Sequence, residues 1–188
     1  MIKENCIIIT GAPGSGKSTL LQLLREKGCI CVDEPARQII AEQRAIRGSG
    51  VSDKDPSLFV ELMLSRAISR FQDVDETFGA VIFDRGVADI IAYAMLFDLP
   101  FEHGWAAANL HRGSSKVFFA PNWEDIYSPD EERTMTFKAS AEMGDNLRFI
   151  YQKLGYEILD LPRSRPIERV QFIFDHSPQS LVAKGENR

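Results

Sequence analysis

Cysteine is scarce in this chain. There are three in 188 residues, at positions 6, 29 and 31. An odd number with no C-x-x-C spacing argues against a disulfide framework, and no H-E-x-x-H occurs, so no structural zinc site is expected. All three read as small buried hydrophobes in a reducing, cytoplasmic setting. No apolar run approaches the length of a membrane span, and the first one starts within a few residues of Met1, so no signal peptide is expected. Positive charge is short as well. Twenty-two Lys and Arg against 27 Asp and Glu give a net charge of −5, and no long Lys/Arg run is present. Nucleic acid and anionic membranes are therefore not expected as partners. Histidine is rare and scattered, at 103, 111 and 176, which favours surface or core roles. What remains is ordinary for a globular protein: 44% hydrophobic and 26% charged residues, with no internal repeat. One domain across 1–188 is expected.

Against this plain background one segment stands out. Gly11-Ala12-Pro13-Gly14-Ser15-Gly16-Lys17-Ser18, followed by Thr19, completes a G-x-x-x-x-G-K-[ST] phosphate-binding loop. Cys6–Thr10 before it reads as a buried strand and Ser18–Arg25 after it as an amphipathic helix, the context that the motif needs. Glycines let the backbone turn tightly and aim its N–H groups inward, and the helix N-terminus adds partial positive charge where a nucleoside triphosphate would sit. Lys17 is expected at the β- and γ-phosphates of ATP and the Ser18 hydroxyl on Mg²⁺.

The rest of the chain alternates strands and helices. Strands are expected at 29–32, 80–83, 116–120 and 156–159. Helices are expected at 17–27, 35–47, 55–76, 88–97, 105–110, 131–154 and 167–174. The second strand, Cys29-Ile-Cys-Val32, reads as buried. This pattern predicts a three-layer α/β fold, a parallel sheet with helices on both faces, and a ligand at the carboxyl ends of the strands. The polar stretch at about 121–135, between the fourth and fifth strands, is expected to be a mobile lid.

Position after a strand ranks the remaining candidates. Glu34 follows the second strand, where a carboxylate can face an acceptor and take a proton from an attacking hydroxyl. Asp33 beside it reads better as a helix cap. Asp84 ends Val81-Ile-Phe-Asp84, a Walker B-like strand, and can hold Mg²⁺ through water. Arg85 can clamp substrate or phosphate, with a structural Asp–Arg pair as the alternative. Arg133, in Asp130-Glu-Glu-Arg133, suits a lid arginine that neutralises charge on the transferring group, or a solvated helix face. Arg37, Lys138, Arg148 and Arg163 carry the same ambiguity. Trp105 and Trp123 read as core or lid packing.

The loop, Asp33-Glu-Pro-Ala-Arg37, Phe83-Asp-Arg-Gly86, the stretch from Tyr127 to Arg133, Leu154-Gly-Tyr-Glu157 and Glu168-Arg169 occur in order. With them the chain resembles the AAA-type ATPase/kinase domain family related to bacterial ribosylnicotinamide kinase domains. Glu34-Pro35 and Asp84-Arg85 also look like acceptor motifs of deoxynucleoside kinases, although Gly86 stands where a serine is common. The resemblance implies a five-stranded sheet of order 2-3-1-4-5 and phosphoryl transfer from a nucleoside triphosphate. It does not identify the acceptor. The expectation is an ATP- and Mg²⁺-dependent phosphotransferase acting on a small hydroxyl acceptor, nucleoside-like among the candidates. Lys17, Glu34, Arg85 and Arg133 would be its catalytic residues, and Ser18 and Asp84 its metal ligands. The alternative is a nucleotide-binding switch or weak ATPase that acts through a protein partner. Self-association stays open.

Overall fold

A computed structural model describes residues 2–75, 79–127 and 135–177. The apolar run near the N-terminus forms β1 (Cys6–Gly11), buried along its whole length. It lies at the centre of a five-stranded sheet ordered β2-β3-β1-β4-β5. β3 (Val81–Asp84) and β4 (Lys116–Ala120) flank it, and β2 (Ile30–Val32) and β5 (Glu157–Asp160) form the edges. Every pairing is parallel, which is the sheet the sequence predicts.

Successive residues of a strand point to opposite faces, so a strand covered on both sides must be apolar throughout. In β1, Ile7 and Ile9 pack with Leu20, Leu24 and Val170, on α1 (Lys17–Glu26) and α7 (Pro166–His176). Ile8 faces the other way. Its cluster draws on α2 (Ala36–Ala45), α3 (Pro56–Gln72), α4 (Asp89–Leu96), α5 (Glu102–Leu110) and α6 (Phe137–Lys153). β4 repeats the rule: Phe118 and Ala120 join the first layer, Val117 and Phe119 the second. Side chains such as Ile9 and Ile82, 0% exposed, each contribute about 1.5–3 kcal/mol by burial.

Three expectations need correction. β2 is an edge strand and not a buried one: Ile30 is 44% exposed, and Cys29 and Cys31 are only half-buried, while Cys6 is fully buried. Four apolar residues in a row read as doubly covered, but an edge leaves one side open. Burial still pushes the Cys31 thiol up to about 12, so it behaves as an inert small hydrophobe. Second, α3 stops at Gln72 rather than near Glu76, which lies outside the described residues. The buried Lys3 ammonium donates to the carbonyls of Phe71, Gln72 and Val74 at 2.9, 3.0 and 2.6 Å, supplying partners for carbonyls left orphaned at the helix end. Third, α6 starts at Phe137, whereas Glu131, where the sequence places the start, lies outside the described residues. Thr136 is its N-cap, accepting from the Ala139 amide at 3.2 Å. Among the described residues, no helix is long and apolar enough to cross a membrane.

Candidate active site

β1 ends at Gly11, where the chain passes so close to β4 that a Cβ would lie 2.2 Å from the Ala120 carbonyl oxygen. The loop then turns through Ala12–Gly16 into α1. Gly16 caps that helix at φ 81°, a left-handed conformation that favours glycine. Lys17 is 7% exposed. Its ammonium donates to the carbonyls of Gly11 and Ala12, both at 2.8 Å, and to Ser15 Oγ at 3.2 Å. Ser15 Oγ in turn donates to the Ala12 carbonyl at 2.7 Å, and Ser140 on α6 donates to the Pro13 carbonyl at 2.7 Å. A cavity of about 140 Å³ is lined by Gly14, Gly16, Lys17 and Ser18 together with Glu34, Asp84 and Ile126. Thr19, in the first turn of α1, is exposed.

Asp84 closes β3. Its Oδ1 is buried without a hydrogen-bond partner. Burial raises its carboxyl above the usual range; Lys17 opposes the shift and Glu34 adds to it. A buried, unpartnered carboxylate oxygen in the same cavity as a serine hydroxyl fits a hard divalent cation, which takes oxygen ligands and keeps several waters.

Glu34 also lines a second cavity, of about 380 Å³. The walls of that pocket are largely apolar, from Ile40, Phe59, Phe97 and Met143, and its polar groups include Arg37, Arg85 and Tyr93. The Tyr93 hydroxyl donates to Glu34 Oε1, and Arg85 Nε lies 3.0 Å from the same oxygen. Arg85 Nη1 donates to Asp89 Oδ1 at 2.9 Å. Burial alone would lower the Arg85 pKa. Glu34 foremost, then Tyr93, Asp89 and Asp84, outweigh it and hold the guanidinium well above its usual value. The Arg85 backbone sits at φ 70°, a region that side chains seldom adopt and that clusters at functional sites.

The structure thus brings Lys17, Ser18, Glu34 and Asp84 to one cavity, and Glu34 and Arg85 to the next. Arg133 lies outside the described residues, as does 128–134 of the expected lid. Of that lid the described parts are 121–127, with a short 3₁₀ turn at Glu124–Ile126 and then Tyr127, and Met135. The Tyr127 ring lies against the loop, where a Cβ on Gly14 would be 2.6 Å away, and its hydroxyl donates to the Met135 carbonyl. Asp33 does not cap α2, whose N-cap is Pro35 without a side-chain bond. Arg25 on α1 holds it instead, at 2.5 Å. Arg148 pairs with Asp160, and Arg163 donates to the Asn122 carbonyl at 2.7 Å. His103 pairs with Glu61 and His176 stacks on Phe172. Trp105 carries the Lys153 ammonium 4.5 Å from its ring centre.

Sequence reasoning passed over Asp89, Tyr93, Tyr151 and Thr10. One signal was present: 89 and 93 are polar and four apart on the otherwise apolar α4, which places them on one face, and Arg85 stands in the turn just before that helix.

A model of the AAA domain family matches residues 6–169. The chain belongs to that family. No curated protein matches this AAA domain in sequence. Among solved structures it is similar to the deoxyadenosine kinase of M. mycoides with products dCMP and a flexible dCDP bound, at 14% identity and a TM-score of 0.64, over 90% of this chain and 97% of that one. NadR protein in complex with NR matches at 17% identity and a TM-score of 0.66, over 99% of this AAA domain and 53% of the NadR chain. Shikimate kinase from Acinetobacter baumannii, in complex with shikimate, matches at 14% and 0.51, over 97% and 95%. At these identities the likeness is one of fold: a kinase-like P-loop α/β core.

Proposed function

We propose that this protein moves the γ-phosphoryl group of ATP to a hydroxyl of a small acceptor. One observation carries the reading: Glu34 lines both the phosphate-loop cavity and the larger, mostly apolar pocket beside it. A nucleotide-binding switch has no need of a second pocket joined to the first by a carboxylate. A phosphotransferase needs that arrangement, because the acceptor oxygen must lie in line with the γ-phosphate and within reach of a base.

In this reading the loop amides and Lys17 hold the phosphates. Ser18 and Asp84 would hold Mg²⁺, which supplies charge neutralisation on the phosphate oxygens. Glu34 accepts the proton of the acceptor hydroxyl. Arg85 and Tyr93 fix the orientation of that carboxylate. Phe59, Phe97 and Met143 suit a flat, weakly polar body, and a nucleoside-like acceptor meets that description. Two proteins of the same fold are kinases of small hydroxyl compounds, deoxyadenosine and shikimate. Residues 121–135 act as a lid that excludes water, and Arg133 is assigned to it from the sequence alone.

The test is a panel of small hydroxyl metabolites, with acceptor-dependent ADP release and the mass of the phosphorylated product as readouts. Glu34→Gln is expected to keep Mg·ATP affinity and to lower product formation by roughly two orders of magnitude or more. ADP release that no acceptor stimulates, together with nucleotide-dependent capture of a protein, would favour the switch instead.

A further inference from the structure

Asp89 is 0% exposed, a carboxylate sealed inside the core at the start of α4. It accepts four hydrogen bonds. Thr10 Oγ1 and Arg85 Nη1 donate to Oδ1 at 2.5 and 2.9 Å. The Gly86 amide and the Tyr151 hydroxyl donate to Oδ2 at 2.8 and 2.6 Å. The donors come from β1, from the turn after β3 and from α6. A buried carboxylate is tolerated only when paired and fully bonded, and here a guanidinium and three neutral donors meet that need.

We infer that Asp89 is a positioning residue: it holds Arg85 against Glu34 and links that arginine, through Thr10, to the phosphate loop. The inference rests on the phosphotransferase reading where it takes Arg85 to serve the acceptor pocket. Two bonds to Asp89 bracket the Arg85–Gly86 turn, one from the Arg85 side chain and one from the Gly86 amide. They stabilise an arginine backbone at φ 70° that would otherwise relax. With Nη1 fixed, Nε is held 3.0 Å from Glu34 Oε1, a buried ion-pair contact rather than a directed hydrogen bond. Thr10 is the residue before Gly11, whose carbonyl holds the Lys17 ammonium. Thr10 and Arg85 share one oxygen of Asp89, so a movement of the loop root that alters one bond alters the other. This is a contiguous physical connection between nucleotide and acceptor sites.

The chemistry of the amide gives a sharp test. Asparagine offers one acceptor oxygen and one NH₂ donor. Whichever way it turns, the NH₂ faces either Arg85 Nη1 or the Gly86 N–H, neither of which can accept. The experiment follows the Arg85 Nε–Hε signal of the ¹⁵N-labelled full chain by NMR, identified by its loss in Arg85→Lys. In the wild type Hε should exchange slowly with water, and Mg·ATPγS should shift the signal. Asp89→Asn is expected to speed Hε exchange by about tenfold or more, in the range of measured coupling between linked sites. Thr10→Val should keep exchange slow and still bind Mg·ATPγS by calorimetry, yet lose the shift. A buried pair with a merely structural role would not separate these two effects.

A folded Asp89→Asn protein with wild-type Hε exchange would overturn the positioning role. If that variant does not fold, Thr10→Val decides: a wild-type response to Mg·ATPγS in it overturns the link. A wild type that binds Mg·ATPγS without any shift at Arg85 also overturns the link. A wild type that does not bind Mg·ATPγS refutes the nucleotide site itself, and the Hε comparison still judges Asp89.

Discussion

At position 86 a Cβ would lie 2.9 Å from both Ile8 Cδ1 and the Tyr151 hydroxyl oxygen. The isoleucine tip can move, but the tyrosine is tied to Asp89. This accounts for the glycine at a place where deoxynucleoside kinase motifs often carry serine: Tyr151 has taken the space. Gly86→Ser should therefore lower stability by about 1–3 kcal/mol, read as an earlier midpoint in urea unfolding. An unchanged midpoint would mean that Tyr151 yields freely. Asp84 gives a prediction of opposite sense. Its folded pKa is raised, by burial first, so its favourable contribution is present at low pH and is lost as pH rises through that folded value. At neutral pH without divalent cation, the ionised group strains the fold. Asp84→Asn should raise the melting temperature in EDTA at pH 7.5, lose that advantage in acid, and need more Mg²⁺ for nucleotide binding. A lower melting temperature with unaltered Mg²⁺ dependence would remove Asp84 from the metal site. The placement of Glu34, Asp84 and Arg85 at the candidate site was legible in the sequence because each stands at or just after the end of a strand, where ligands gather. Asp89 was not. An acidic residue at the start of a helix reads as dipole compensation, and nothing local shows that four donors from distant segments converge on it.

Among the elements, α7 reaches furthest across the sequence. It packs with α1 through Val170 and Ile173, and its Arg169, 3% exposed, donates from Nη1 to the Ser15 carbonyl at 3.0 Å. The Nε of the same side chain is buried without a partner, and burial lowers the pKa of this guanidinium. A cation so poorly satisfied adds little to global stability, yet it ties the last helix to the phosphate loop. Arg169→Met preserves much of the volume and removes the tie. The expected outcome is a melting temperature close to wild type with Mg·ATP affinity weakened by roughly tenfold, the scale of about 1.4 kcal/mol. Calorimetric titration of the folded variant checks it, and wild-type affinity would make Arg169 a packing residue only. Element existence was legible throughout, since the strands are apolar runs bounded by turn residues. Element ends were less so. Asp130-Glu-Glu reads in sequence as an acidic first turn, while α6 itself is capped by Thr136. The edge position of β2 depends on the order of the whole sheet, which no run of four residues can reveal.

At the scale of the molecule, the sheet order sets where chemistry can happen. Gly11, Asp84 and Glu34 lie at or just beyond the carboxyl ends of three adjacent strands, β1, β3 and β2, so the phosphate loop, the expected metal ligand and the expected base come together without any being near another in sequence. Ile126 lines the resulting cavity and the Tyr127 ring lies on Gly14, so a ligand bound there is expected to be felt at 121–127 as well as in the loop. A nucleotide at one hundred times its dissociation constant stabilises the folded state by about 2.7 kcal/mol. For a chain of this size that corresponds to a rise of about 5–10 °C in melting temperature. Mg·ATPγS should produce such a rise in the wild type and little or none in a folded Lys17→Ala variant, because Lys17 brings the charge that the β- and γ-phosphates need. Amide exchange separates local closure from this global effect. Core strands such as β1 already open only by global unfolding, whereas surface turns open locally. Protection gained at 121–127 under conditions of native exchange, beyond that of other surface turns, would show the lid closing on the nucleotide. A melting rise without that extra protection would leave the nucleotide bound beneath a segment that does not respond, and the lid would have to be given up while the phosphate site stood.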